Sequence, residues 1–256
     1  MMEEVVITAL FSVGFNVVMF IPAFIMRTDK LTDISYALTF LAVGIFGFLR
    51  SERPFGHALL LTVIILWSVR LGGFLYMRIL RMKTDRRFDG MRDKFFKFLG
   101  FWILQGLTVP MVLVASVIYF GVGNPTVSVS SLVGLLILLC GLCIEAIADQ
   151  QKFRFSGDLA NKDKWIESGI WSISRHPNYL GEIMVWFGVY LFVASSLEGI
   201  HLLVGAFSPI YIAGLLIFVS GIPLLEKSAD QKWGSDKKYQ EYKKRTPVLI
   251  PFLKTK

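Results

Sequence analysis

Ser174-Arg175-His176-Pro177-Asn178-Tyr179-Leu180-Gly181-Glu182 runs directly into Ile183-Met184-Val185-Trp186-Phe187, the start of an apolar stretch. Charge beside hydrocarbon is expensive, so ionisable and turn-forming residues at the mouth of a membrane helix mark a functional site. Pro177 suits the first turn of that helix, where a missing N–H costs nothing. Asn178 and Glu182 are four apart and share one helix face. Arg175 and His176 can grip an anionic group. A polar face at the start of a helix that points into a membrane bundle suits a cofactor better than it suits packing.

Outward from this segment the chain is dominated by apolar runs. Its 256 residues are 54% hydrophobic and include 22 Phe, far more than a soluble domain of this length needs. Seven runs have the length of a membrane helix: about 5–26, 34–50, 57–77, 98–121, 130–148, 180–197 and 202–225. The first begins on Glu3 and Glu4 and is too long for the apolar core of a cleavable signal peptide. The expected fold is an all-α integral membrane protein, a seven-transmembrane-helix bundle in one domain over 1–256.

The net charge of +8 is distributed unevenly. Residues 78–97 hold eight Lys or Arg, residues 149–176 hold five, and the tail after Glu226 holds nine. Residues 122–129 and 198–201 hold none. Basic loops stay in the cytoplasm. The C-terminus is therefore expected to be cytoplasmic and the N-terminus out. The basic excess is topological, and with no soluble basic domain a nucleic-acid partner is not expected. Cys140 and Cys143 fall three apart in the fifth run and read as small core residues. Without nearby His ligands they make no metal site.

The strong polar signals gather on the expected cytoplasmic side. Trp67-Ser68-Val69-Arg70-Leu71-Gly72-Gly73 places Arg70 inside an apolar run, able to line a cavity, beside glycines that permit close approach. Arg78, Arg81, Arg86, Arg87 and Arg92 are mixed with Asp85, and guanidinium forks match phosphate oxygens. Glu145 and Asp149 end the fifth run four residues apart, where they would repel without a cation or ligand between them. Glu226 ends the last run and needs a partner. The tail from Ser228 to Arg245 reads as a helix against the cytoplasmic face, with Tyr239 and Tyr242 either anchoring it or serving the site. Val248-Leu249-Ile250-Pro251-Phe252 is an apolar plug able to dock back. Pro110 should kink the fourth helix. His57 and His201 are placed in short outer loops, away from any chemistry.

These motifs, taken together from Trp67 onward, resemble the steroid 5-alpha-reductase superfamily, especially its bacterial branch. The resemblance rests on Trp67–Gly73, Asp85-Arg86-Arg87-Phe88-Asp89-Gly90-Met91-Arg92, Glu145-Ala146-Ile147-Ala148-Asp149-Gln150, Gly169 through Glu182, and Tyr239…Tyr242…Leu249-Ile250-Pro251-Phe252. It implies a seven-helix bundle holding NADPH from the cytoplasmic side, in the region from about 67 to 256. The implied chemistry is reduction of a carbon–carbon double bond conjugated to a carbonyl. It also implies that Asn178 and Glu182 face the nicotinamide end, that Asp149, Arg81, Arg86 and Arg87 hold the nucleotide and phosphates, and that Arg70 contacts the cofactor. Trp67 stands near the position where steroid-reducing members carry a tyrosine, and their Gln-Glu pair on the second helix is missing. The implied substrate is thus a lipophilic enone, steroid-like or another lipid.

Isoprenylcysteine and phospholipid methyltransferases share the Arg-His-Pro-x-Tyr-x-Gly motif, the later Glu and a Tyr-x-x-Tyr tail, and bind S-adenosylmethionine with them. Arg175, His176, Asn178, Tyr179, Glu226, Tyr239 and Tyr242 serve either reading as cofactor-binding residues. The Asp85–Arg92 block and Asp149 favour the reductase. In that chemistry a polar donor stabilises the developing enolate oxygen, and Arg70, Tyr36 and Tyr179 are the catalytic candidates. Substrate would enter laterally from membrane lipid, with no protein partner required. The expected location is a bacterial cytoplasmic membrane with the site facing the cytoplasm.

Overall fold

The structure, a computed structural model, describes residues 2–81 and 88–253. Every regular element among them is helical: α1 (Met2–Ile25), α2 (Lys30–Leu49), α3 (Phe55–Arg81), α4 (Phe95–Val112), α5 (Val114–Phe120), α6 (Val129–Gly157), α7 (Pro177–Ala194), α8 (Ile200–Gly214), α9 (Ile222–Trp233) and α10 (Lys237–Arg245). Six stretches among the described residues are long and apolar enough to cross a membrane: Glu3–Ile25, Lys30–Leu49, Phe55–Arg81, Phe95–Val112, Val129–Gly157 and Ile200–Trp233. This is the make-up of an integral membrane protein. α7 is not among the six, because Pro177, Asn178 and Glu182 in its opening turns lower its hydropathy. The chain divides into two compact units, residues 1–132 with 189–208 and residues 133–188 with 209–256.

In the first unit α1 packs on α2 and α4, and α2 on α3. Lipid is as apolar as Leu, so burial alone cannot hold such helices together, and buried polar side chains do part of it. Gln105 of α4 donates to Asn16 Oδ1 of α1 at 2.9 Å, and Asn16 donates to Thr39 Oγ1 of α2 at 3.1 Å. Pro110 ends α4 early: the helix stops at Val112 and α5 restarts at Val114. A proline has no N–H to return to the carbonyl four residues back. That carbonyl belongs to Gly106, and Ser12 Oγ donates to it at 2.7 Å. The cost of the kink is thus met from the neighbouring helix. An aromatic layer closes the other end, with Phe20 against Phe98 at 5.8 Å and Trp102 at 6.5 Å.

In the second unit α6 and α7 cross through a glycine seam. A Cβ on Gly181 would lie 2.7 Å from Gly141 O and from Glu145 N, so only glycine permits this approach. α6 runs on to Gly157, past the expected end at 148, so Glu145 and Asp149 are buried within a helix rather than at its end. Cys140 and Cys143 are exposed, contrary to the core reading. α6 is apolar all round, and the glycines and Glu145 decide which side packs. The expected tail helix is two helices, α9 and α10, separated at Gly234. Between α8 and α9 lies one π-helical turn, Leu215–Val219, with Ser220 N–H bonded to Leu215 O at 2.9 Å. Such turns re-aim the helix that follows. Gly221 then brings the chain against Tyr179, whose Cε2 lies 3.0 Å from where a Cβ would stand. In the first unit, His57 lies in the opening turn of α3, fully buried rather than in a loop, and His201 opens α8.

Candidate functional site

Arg175 and His176 occupy the short segment before α7, and the C-terminal strap fixes them there. Arg175 N–H donates to Pro247 O at 2.9 Å. Ser174 Oγ donates to Leu249 O at 2.7 Å and accepts from His176 N–H at 3.3 Å. The apolar plug therefore docks back on the motif. From α9, Glu226 meets both residues: Arg175 Nη2 donates to Oε2 at 2.9 Å, and His176 Nε2 lies 2.8 Å from Oε1. Lys243 of α10 adds a longer contact at 3.5 Å. Arg175 Nη1 donates to Lys243 O at 2.8 Å, which ties α10 into the same cluster.

Burial pushes the His176 imidazole below its ordinary value, outweighing the pull of the adjacent carboxylate. A neutral His176 donating Nε2–H to Glu226 leaves Nδ1 as an acceptor. Nδ1 is buried and has no partner, and the same holds for Arg175 Nε and Asn178 Oδ1. Three unsatisfied buried polar atoms within four residues are unusual in a packed protein and fit a ligand-binding segment. The Tyr179 ring stacks on His176 with centroids 5.8 Å apart.

A cavity of about 530 Å³ opens beside this cluster. Arg175, His176, Glu226, Tyr239 and Tyr242 line it, together with Lys152, Trp165 and Trp171 and with lysines 162, 164 and 232 beside Trp233. Tyr242 donates to Trp171 O at 2.9 Å, and Trp171 Nε1 donates to Ala148 O at 3.1 Å, so α10 and α6 share one wall. Burial raises both phenols, Tyr239 to about 12, so they remain donors at neutral pH. Charges in the wall are five cations against two carboxylates, Asp163 and Glu226. Both carboxylates are paired, Asp163 with Lys232 at 3.0 Å. Among the described residues no group of three or more His, Cys, Asp or Glu is placed to hold a metal.

The sequence pattern of a family described as protein of unknown function (DUF1295) matches residues 19–246. The chain belongs to the DUF1295 family. No curated protein and no solved structure matches it. The DUF1295 match takes in the whole cavity wall and ends at Thr246, whose carbonyl accepts from Arg175 at 3.4 Å.

Five of the residues expected to bind a cofactor in this DUF1295 chain come together at the cavity: Arg175, His176, Glu226, Tyr239 and Tyr242. Asn178, Tyr179 and Glu182 lie on the first turns of α7, and Asp149 is buried on α6, all outside the residues that line it. Arg70, Arg81 and Tyr36 belong to the first unit, on α3 and α2. Arg86 and Arg87 lie outside the described residues. Two arginines of the same block are already committed to carboxylates, Arg78 to Asp33 and Arg92 to Asp29 at 3.2 Å. Sequence reasoning passed over Trp165 and the lysines at 162, 164, 232 and 243. The available signal was an indole in the middle of Asn161-Lys162-Asp163-Lys164-Trp165, where a solvated loop has no need of one.

Proposed function

We propose that this protein is a membrane-embedded reductase that binds NADPH in the cavity of its second unit and reduces a carbon–carbon double bond in a lipophilic enone. The observation that carries the reading is the charge of the cavity wall. Lysines 152, 162, 164 and 232 with Arg175 suit a polyanionic dinucleotide. The unpartnered Arg175 Nε and His176 Nδ1, on residues that line the cavity, offer one donor and one acceptor to a ligand rich in both. Bound there, NADPH would supply the hydride. The chain's own part is to bind, to exclude water and to place a donor against the enolate oxygen. Of Arg70, Tyr36 and Tyr179, we favour Tyr179, because its ring stacks on His176 in the unit that holds the cavity. Seven spans with α7 as the sixth, the N-terminus out, the cavity facing the cytoplasm of a bacterial cell and lateral substrate entry from lipid complete the proposal.

One observation favours a second reading, an S-adenosylmethionine-dependent methyltransferase. The five expected residues at the cavity are all common to both families, whereas Glu182 and Asp149, which point to the reductase, do not line it. The wall's cationic excess opposes a sulfonium ligand, and for that reason we favour NADPH. Thermal stabilisation of the detergent-solubilised protein by NADPH, NADH and S-adenosylmethionine tests both. A ligand at 100 times its Kd adds about 2.7 kcal/mol. The reductase reading expects the largest rise with NADPH; a response to S-adenosylmethionine alone would replace it with the methyltransferase.

A further inference from the structure

Three aromatic rings meet at one part of the cavity wall. Trp165 lies 5.3 Å from Tyr239 and 6.2 Å from Trp233, and Trp233 lies 5.9 Å from Tyr239, all measured between centroids. The Trp165 contacts are edge-to-face, which leaves indole surface unused. The loop carrying Trp165 is clamped to α9, because Trp233 Nε1 donates to Asp163 O at 2.5 Å and Lys232 pairs with Asp163 at 3.0 Å. Trp165 Nε1 is buried without a partner although its residue lines the cavity. Lys162 and Lys164 flank the ring and are exposed. A clamped aromatic face edged by exposed point charges suits a purine carrying phosphates.

Resting on the reading of the cavity as a nucleotide site, we infer that Trp165 and Trp233 take the adenine of the nucleotide while Lys162, Lys164 and Lys232 hold its ribose phosphate. The direction of the ligand follows from the substrate. A lipophilic substrate requires the reacting ring at the end where α7 and α9 begin, beside Arg175, His176 and Glu226. Trp233 ends α9, seven residues beyond Glu226, or about 10 Å of helical rise. The phosphate role thereby passes from the arginines of 81–87 to the lysines of the 161–165 loop.

The test uses the full chain in detergent and measures binding of NADPH, 2′,5′-ADP and S-adenosylhomocysteine. 2′,5′-ADP is expected to bind wild type and to compete with NADPH. Trp165→Ala should weaken both at least tenfold, with Trp165→Phe recovering most of the loss because stacking survives. Lys162→Ala/Lys164→Ala, at two exposed positions, should weaken 2′,5′-ADP at least tenfold, whereas Lys237→Ala, outside the wall, should not. Wild-type NADPH affinity in both the Trp165→Ala and the double-lysine proteins would overturn the subsite and leave the cofactor reading standing. Failure of wild type to bind either NADPH or 2′,5′-ADP would overturn the cofactor reading and the subsite with it. Tighter competition by S-adenosylhomocysteine than by 2′,5′-ADP would overturn the phosphate assignment.

Discussion

Removing the Glu226 carboxylate takes one acceptor away from three cationic or polar partners at once. Arg175 and His176 are 11% and 7% exposed in their side chains, so neither can turn to water instead. In Glu226→Ala, Arg175 retains Lys243 O at 2.8 Å and Thr246 O at 3.4 Å, and His176 is left with no side-chain partner on either ring nitrogen. Breaking a buried ion pair from one side costs about 3–5 kcal/mol. Glu226 itself is 19% exposed and Arg175 keeps two carbonyls, which lowers the expectation to about 2–4 kcal/mol. Glu226→Gln should cost less, about 1–3 kcal/mol, since one carbonyl oxygen still accepts while the new amide faces donors. Reversible unfolding in mixed micelles, with the Glu226→Gln and Arg175→Leu singles and their double, measures the coupling directly. A cost below about 0.5 kcal/mol for Glu226→Ala would refute the claim that this cluster holds α9 and α10 to the α7 motif. NADPH binding supplies a second, independent readout. If Glu226 merely neutralises charge, its removal strengthens the binding of an anion; if it positions Arg175 and His176, binding weakens, and we expect at least a tenfold loss.

Gly181→Ala should be among the most damaging small substitutions, because its Cβ would stand 2.7 Å from backbone atoms of α6 on two residues; loss of the folded detergent-extractable protein, or a fall in thermal stability of several degrees, is expected. Burial lowers the His176 pKa, so its contribution to stability is full above pH 6.5 and declines as pH falls below it; wild type should lose stability as pH drops below 6.5, and His176→Asn should flatten that slope in a pH-resolved melt. Asn124→Cys, on an exposed loop residue in a background with Cys140 and Cys143 replaced by Ala, should react with an impermeant maleimide from outside intact cells and not from inverted vesicles; the opposite result would reverse the proposed topology.

Helix positions were largely legible because an apolar run in a bilayer has one stable outcome. Even the break at Pro110 follows from a missing N–H. What the sequence left open was which face of each helix packs. In water a polar stripe marks the outside; in lipid, apolar and exposed are compatible, and Cys140 and Cys143 on α6 read as core for that reason. The glycines at 141 and 181 carried the answer, but only as a pair, and a pairing between two helices is a tertiary fact. The π turn at 215–219 was also hidden, since Leu215-Leu216-Ile217-Phe218-Val219 is an ordinary apolar helix by composition. Just past it, Gly221 lets the Tyr179 ring approach and Pro223 stands in the first turn of α9.

The Arg175-His176 pair is in large part an internal lock. Arg175 spends its guanidinium on Glu226 and on two carbonyls of the C-terminal strap, and His176 spends Nε2 on the same carboxylate. At the cavity, Arg175 Nε and His176 Nδ1 remain without a partner, atoms that no spacing rule distinguishes from the others. The residues common to the two proposed readings line the cavity and hold the tail, a role that does not depend on which ligand binds. Discrimination has to come from the rest of the wall, from the lysines and indoles of 161–165 and 232–233, which belong to no motif. Charge there is the property to perturb. Neutralising Lys162 and Lys164 removes two of the five wall cations without touching the lock, so a nucleotide held by phosphates must respond to it, and a methyl donor that carries its own positive charge must respond in the opposite direction or not at all.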